Sequence, residues 1–400
     1  MSEVKARTEA YPENEPRPLQ AATSRILFNR NELSGAFGDI GTDLPLIIGM
    51  IAACGLDPAG SFLMFGLMQI MTGILYGIPM PVQPLKAMAV LMISQKLSGG
   101  LLYGAGLSIG ITMAVLTFTG ALDYIVRAIP KSVVRGIQFG LGLSLASLAV
   151  KTYVLAGGAQ GYLLAALGFI LTVVFIGNKK YPPALFVVLL GIIYACFFSV
   201  NFGVLAAGAG LVLPSVNIPR PADIVNGFLV LAIPQIALSI SNSVIATKRT
   251  VDDLFPEKAL TVRKIGWTYT AMNLINPFFS GIPTCHGAGG IAGHYGFGGR
   301  TGGSVIIYGA LFAVIGLFFS RGFSEFVKFF PMPVLGVILL FESLSLMSFI
   351  GDVARSKKCL FVSLVVGIMA FALPYGYAIG LVSGLLLDHF VNKDKILAHY

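Results

Sequence analysis

The chain has 400 residues, of which 56% are hydrophobic and only 11% charged, with a mean hydropathy of +0.84. A soluble domain carries about 25% charged residues, so the composition excludes a soluble globular protein. The net charge of +9 does not imply nucleic acid as a partner, because the basic residues are scattered between apolar runs and not gathered on one face.

Residues 1–32 are polar, with Pro12, Pro16, Pro18 and mixed charges. They read as a disordered cytoplasmic tail and not as a signal peptide. From Leu33 onward, runs of about 20 apolar residues recur, the length that crosses a bilayer. Apolar runs and breakers place first-half spans at 33–53, 60–77, a short 83–97, 101–120, 132–149, 160–177 and 182–199. A connecting loop covers 200–222. Second-half spans follow at 223–246, 263–280, a short 285–297, 302–320, 325–348, 359–373 and 375–391, and 392–400 form a cytoplasmic tail. The expected fold is an all-α polytopic membrane protein of about 14 transmembrane segments, with broken third and tenth helices.

Basic residues test that count, since Lys and Arg accumulate on the cytoplasmic side. With the N-terminus inside, the outer side receives Lys151, Arg220, Arg321 and Lys328, and Lys86 and Lys96 lie on the short third span. The rest of the 27 Lys and Arg residues fall inside. Both termini are therefore expected in the cytoplasm. Seven spans per half, an odd number, makes the halves 33–199 and 223–391 inverted repeats. Internal likeness agrees: Ile129-Pro130 through Ile137 resembles Phe330-Pro331 through Val337, and Ile78-Pro79 resembles Ile282-Pro283.

The first span holds Gly38-Asp39-Ile40-Gly41-Thr42-Asp43-Leu44-Pro45. Ionisable residues within a membrane mark pathways, and Asp39 and Asp43, four apart, share a helix face. Unwinding near Gly41 would let Thr42 donate to a substrate. Asp39 and Asp43 are candidates for binding a coupling ion, H+ or Na+; the plainer alternative is that one of them caps a broken helix.

The third span opens Ile78-Pro79-Met80-Pro81-Val82-Gln83-Pro84-Leu85-Lys86. Three prolines in six positions cannot sit inside a regular helix, so an extended stretch is expected to break into a helix at about Gln83–Pro84. Such a break must line a cavity or be buried in protein. Its free amides and positive dipole end favour an anion, and Gln83, Pro84 and Lys86 sit at that end. The tenth span opens in the same way, Gly281-Ile282-Pro283-Thr284-Cys285-His286-Gly287, with Thr284, His286 and Gly287 as further candidate contacts. Paired broken helices in the two halves point to a transporter's binding site. In the eighth span, Gln235, Ser239 and Asn242 fall at i, i+4 and i+7, a polar stripe facing either the cavity or another helix. Glu342 is a lone acid in the twelfth span, placed to pair with a cation at a helix end.

Cys54, Cys196, Cys285 and Cys359 show no metal or disulfide spacing. The glycine-rich stretches at 287–290 and 298–304 lack the Gly-Lys-Ser/Thr of a phosphate loop. No nucleotide, cofactor, metal site or catalytic residue is expected, and an enzyme is not.

Gly38–Pro45, Pro81–Lys86, Cys285–Gly290 and Tyr295–Gly302 together resemble the molybdate transporter family, a branch of the sulfate permease superfamily. The resemblance runs from about Asn31 to Phe390. It implies seven plus seven inverted spans and a core domain (spans one to four and eight to eleven) moving against a gate domain. It also implies an oxyanion between the third and tenth half-helices, alternating access in the cell membrane, and a homodimer. The expected function is secondary active transport of a tetrahedral oxyanion, molybdate first, with proton coupling as one route. Alternatives are a sulfate or nucleobase carrier on the same fold, or an anion channel. A nucleobase carrier favours acids on spans eight and ten, which are absent here.

Overall fold

The computed structural model describes residues 26–175 and 183–392. Most of the expected 1–32 tail, nearly all of the 392–400 tail, and Lys179 and Lys180 lie outside the described residues.

A short helix, Arg30–Gly35, precedes α1 (Ile40–Cys54). Then come α2 (Pro58–Tyr76), strand β1 (Val82–Pro84), α3 (Lys86–Gln95) and α4 (Gly99–Phe118). Next are α5 (Lys131–Leu148), extended by a π-helical turn to Val154, α6 (Gly158–Phe175) and α7 (Pro183–Phe198). The second half has α8 (Pro221–Leu254), α9 (Val262–Ile275), β2 (Thr284–His286), α10 (Ala288–Gly296) and α11 (Gly303–Phe318). It ends with α12 (Met332–Ser348), α13 (Lys357–Ala372) and α14 (Gly376–Asn392).

Among the described residues, six helices are long and apolar enough to cross a membrane, or seven if α7 and the sharply bent Phe202–Gly208 count as one span. That is fewer than the fourteen expected. The shortfall has a physical origin: α1, α11 and α14 are apolar but short, α9 and α13 have 14 and 16 residues, and α3 and α10 have 10 and 9, the last two about half of what a bilayer requires.

Several boundaries differ from expectation. The first span is not continuous: turns over Ala36–Asp39 separate Arg30–Gly35 from α1, so the chain unwinds just before Gly41. Gln83 and Pro84 are not in the third helix but in β1, and α3 starts at Lys86. The reason is pairing: β1 lies antiparallel to β2, with Val82 opposite His286, Gln83 opposite Cys285 and Pro84 opposite Thr284. The eighth span runs on to Leu254, with π-helical stretches at Phe228–Ala232 and Ser239–Ala246.

A two-stranded sheet leaves unpaired amides and carbonyls along both outer edges, and inside a membrane these must be met by protein. Two side-chain amides do so. Gln69 of α2 donates to Val82 O at 2.7 Å and accepts from Val82 N at 2.9 Å. Asn273 of α9 donates to Thr284 O at 2.6 Å and accepts from Thr284 N at 3.0 Å. Each half thus clamps its own strand from its own second helix.

The helices form two bundles. In one, α2 packs against α11, α4 against α9 and the start of α8, and α1 against α3. In the other, α5 packs against α12, α13 and α14, and α12 against α6 and α7. Glycines permit the closest approaches: a Cβ on Gly66 would lie 2.4 Å from Gly309 O, and one on Gly136 2.7 Å from Ser363 O. Pro130 and Pro331, aligned by the internal likeness, stand directly before α5 and α12.

Candidate functional site

The β1–β2 pair brings the starts of α3 and α10 together in the first bundle. Side chains alternate along a strand, so Gln83 and Cys285 share one face and Thr284 and His286 the other. On the first face, Gln83 Nε2 donates to both carboxylate oxygens of Asp39, at 2.7 Å each. Asp39 stands at the N-cap of α1, yet its side chain makes no capping bond there. Gly287 and Gly290 complete the contact, since a Cβ on either would overlap Gln83 Oε1 or Asp39 Oδ2.

The two half-helix starts are not equivalent. At α3, the amides of Ala87 and Met88 donate to Gln235 Oε1, at 2.9 and 3.3 Å. At α10, the N-cap residue is Gly287, and no side chain caps the helix. The positive end of α10 is therefore the one left for a ligand's charge. Lys86 is buried in the first turn of α3, and its ammonium lies 3.5 Å from Glu342 Oε1.

A cavity of about 520 Å³ reaches this place from between the bundles. Its wall includes Asp39, Thr42 and Gly289 from the first bundle and Ala184, Ile338 and Glu342 from the second. A further cavity, of about 740 Å³, lies between the end of α3, the end of α5, α8 and the turn joining α13 to α14.

The expected site residues distribute as follows. Asp39 and Thr42 line the cavity, Gln83 meets Asp39 and Gly287 at the α10 start, and Lys86, at the α3 start, meets the cavity wall through Glu342. Asp43 is buried one turn deeper; Tyr308 of α11 donates to its Oδ2 at 3.1 Å, and its Oδ1 has no partner. Pro84 is buried within β1. Thr284 and His286 point away: Asn276 donates to Thr284 Oγ1 at 3.3 Å, and His286 Nε2 lies 2.7 Å from Thr268 Oγ1. Ser239 bonds to Gln235 and to the Tyr269 hydroxyl, at 3.1 and 2.8 Å. Asn242 accepts from Gln138 of α5 at 3.2 Å. The polar stripe of the eighth span thus serves other helices. Among the described residues, no group of three or more His, Cys, Asp or Glu side chains could hold a metal ion.

Two contacts were beyond sequence reasoning, Gln235 on α3 and Tyr308 on Asp43; for Glu342 a cation at a helix end was expected, and the structure makes that cation Lys86. Only Glu342 carried a signal, as a lone intramembrane acid.

The family described as "Molybdate transporter of MFS superfamily" matches residues 31–145 and 227–346. Molybdate transporter 2 of Arabidopsis thaliana is 34% identical over 415 aligned positions, covering 89% of this chain and 87% of that protein. The transmembrane domain of a cyanobacterial bicarbonate transporter, BicA, has a like fold: TM-score 0.63 at 16% identity, covering 90% of this chain and 98% of that one. The murine anion transporter Slc26a9, solved in its inward-facing state, gives 0.64 at 13% identity, covering 92% and 69%.

Proposed function

The chain belongs to the molybdate transporter family, and from that premise we propose that it carries a tetrahedral oxyanion, molybdate first, across the cell membrane by secondary active, alternating-access transport. Its curated relatives are named as transporters, not as enzymes, and its fold is that of multi-pass anion and bicarbonate transporters. The observation that carries the reading is the uncapped start of α10, facing a cavity that also reaches Asp39, Thr42 and Glu342.

In this reading the anion sits against the amides of α10, with Gln83, Thr42 and the Lys86 ammonium as donors. Thr284, His286, Ser239 and Asn242 support the site through the strands and helices they bond to. The clamps by Gln69 and Asn273, and the prolines before α5 and α12, support two inverted repeats of seven segments. Both termini are then cytoplasmic. The first bundle is the core and the second the gate, and the two cavities open to opposite sides.

Asp39 couples transport to protons. An ionised carboxylate beside the α10 start repels a dianion, and a protonated one does not. Sodium at Asp39 and Asp43 is the other coupling route. A homodimer through one bundle follows from the family resemblance.

Uptake of labelled molybdate into proteoliposomes tests the reading, with sulfate, tungstate and uracil as competitors and imposed pH or sodium gradients. Accumulation against the molybdate gradient, blocked by oxyanions and not by uracil, is expected. Flux that only equilibrates molybdate would make the protein a channel.

A further inference from the structure

Glu342 belongs to α12 in the gate bundle, and its side chain is 29% exposed on the cavity wall. Lys86 belongs to α3 in the core bundle, and its side chain is 5% exposed. The 3.5 Å contact between them crosses from one bundle to the other. The Arg135–Asp352 pair, by contrast, stays within the gate bundle.

A buried ammonium needs a compensating negative charge. Glu342 supplies one, and it does so with carboxylate oxygens, the same kind of acceptor that an oxyanion presents. Lys86 cannot keep the full interaction with both. Asp39, on the same cavity, feels the charges of both Lys86 and Glu342, so the three groups share one electrostatic site. The carboxylate is also the partner better able to leave, being partly exposed while the ammonium is not.

We infer that Glu342 is an internal competitor for the transported anion: it holds the Lys86 ammonium, and an oxyanion reaches that ammonium only by displacing it. Displacement unties α12 from α3, so anion capture and release of the gate helix are one event. Glu342 sets affinity in the direction opposite to a binding residue, since its loss tightens binding. This inference rests on the proposed anion site at the start of α10.

The test is equilibrium binding of labelled molybdate to the purified full-length chain in lipid nanodiscs, with thermal unfolding of each variant alongside. Glu342→Gln keeps the shape and removes the charge. Its Kd is expected to be about fivefold tighter than the parent's, the scale of one partly exposed ion pair. In a Lys86→Gln background the same substitution is expected to gain much less, because the two residues act through each other. Should Glu342→Gln fail to fold, Glu342→Asp, with its carboxylate drawn back by one methylene, is expected to tighten binding by a smaller factor. An unchanged or weaker affinity in a folded Glu342→Gln overturns the inference, as does an equal gain in both backgrounds. A lower unfolding temperature with unchanged Kd would assign Glu342 a structural role. If the parent binds neither molybdate nor sulfate, the reading of the site fails and this inference with it.

Discussion

One amide nitrogen, Gln83 Nε2, serves both carboxylate oxygens of Asp39 at 2.7 Å, while the other end of the same amide, Oε1, is buried without a partner. The contact ties the start of α1 to β1 and sets a hydrogen-bond donor and an acid against the first turn of α10. Gly287 and Gly290 leave the space it occupies. A Cβ on Gly287 would fall 1.8 Å from Gln83 Oε1, and one on Gly290 2.2 Å from Asp39 Oδ2 and 2.7 Å from Pro81 Cγ.

Gly290→Ala is therefore expected to push Asp39 off Gln83 and to weaken molybdate binding about tenfold or more, the scale of an overpacked site at about 1–3 kcal/mol. Gly296, later in the same helix, has nothing within 4 Å of a built Cβ, so Gly296→Ala should bind as the parent does. Binding isotherms of the two variants decide the matter. Equal affinities would remove the Gln83–Asp39 pair from the site.

Lys86 and Lys96 bound the same half-helix. Lys86 is buried at its start, and Lys96 is exposed at its end with a left-handed φ of 50°. Alanine keeps the Lys96 backbone strain unchanged and removes only a solvated charge. Lys86→Ala should weaken molybdate binding about ten- to hundredfold, since a charge-assisted contact contributes about 1.5–3 kcal/mol, and Lys96→Ala should leave it alone. Equal binding by the two variants would mean that the ammonium at the α3 start does not meet the anion.

Glu32 fastens the segment before α1 to the start of α11. Its Oε1 accepts from Arg300 N at 3.0 Å and Thr301 N at 2.9 Å, and its Oε2 from Ser304 N at 2.9 Å. The carboxylate is buried against a helix N-terminus, where negative charge is favoured. Glu32→Ala leaves those amides without acceptors and should cost about 2–3 kcal/mol, read as a lower unfolding temperature in detergent. Glu32→Gln retains one acceptor oxygen and should lose less. An unchanged melting curve for Glu32→Ala would show that water replaces the clip.

How much of this was legible in the sequence depended on which residue carried the information. Pro81 and Pro84 announced that the third helix must break, because neither can donate within a helix. The strand pairing behind the break was not legible, since three residues are too few for an alternating pattern to register. Its consequence was missed with it: a period of two sets His286 and Thr284 on the face away from Gln83. The helix begins at Lys86 and not at Gln83–Pro84 because strand bonding holds Val82–Pro84 extended. Asn242 left the stripe of Gln235 and Ser239 because the chain is π-helical over Ser239–Ala246, where 3.6-residue spacing no longer tells which side chains share a face. Contacts between distant helices, such as Gln235 to Ala87 N or Tyr308 to Asp43, have no local signature at all, whereas the lone acid Glu342 announced that it needs a cation without saying which.

The sharpest test of coupling is Asp39. Its carboxylate lines the cavity, accepts from Gln83 on both oxygens, and lies beside the uncapped end of α10. Ionised, it occupies the Gln83 amide and repels a dianion; protonated, it does neither fully. Asp39→Asn makes the neutral state permanent at almost unchanged volume. The variant should bind molybdate at least as well as the parent and exchange labelled for unlabelled molybdate across a proteoliposome membrane. It should no longer accumulate molybdate when the outside is acidified, because no proton is carried inward and released. Parallel measurements of exchange and of pH-driven accumulation separate the two properties. If Asp39→Asn still accumulates molybdate in proportion to the imposed pH gradient, Asp39 is not the proton carrier. If only a sodium gradient drives the parent, and Asp39→Asn abolishes that response, the residue keeps its place in coupling and the ion changes from proton to sodium.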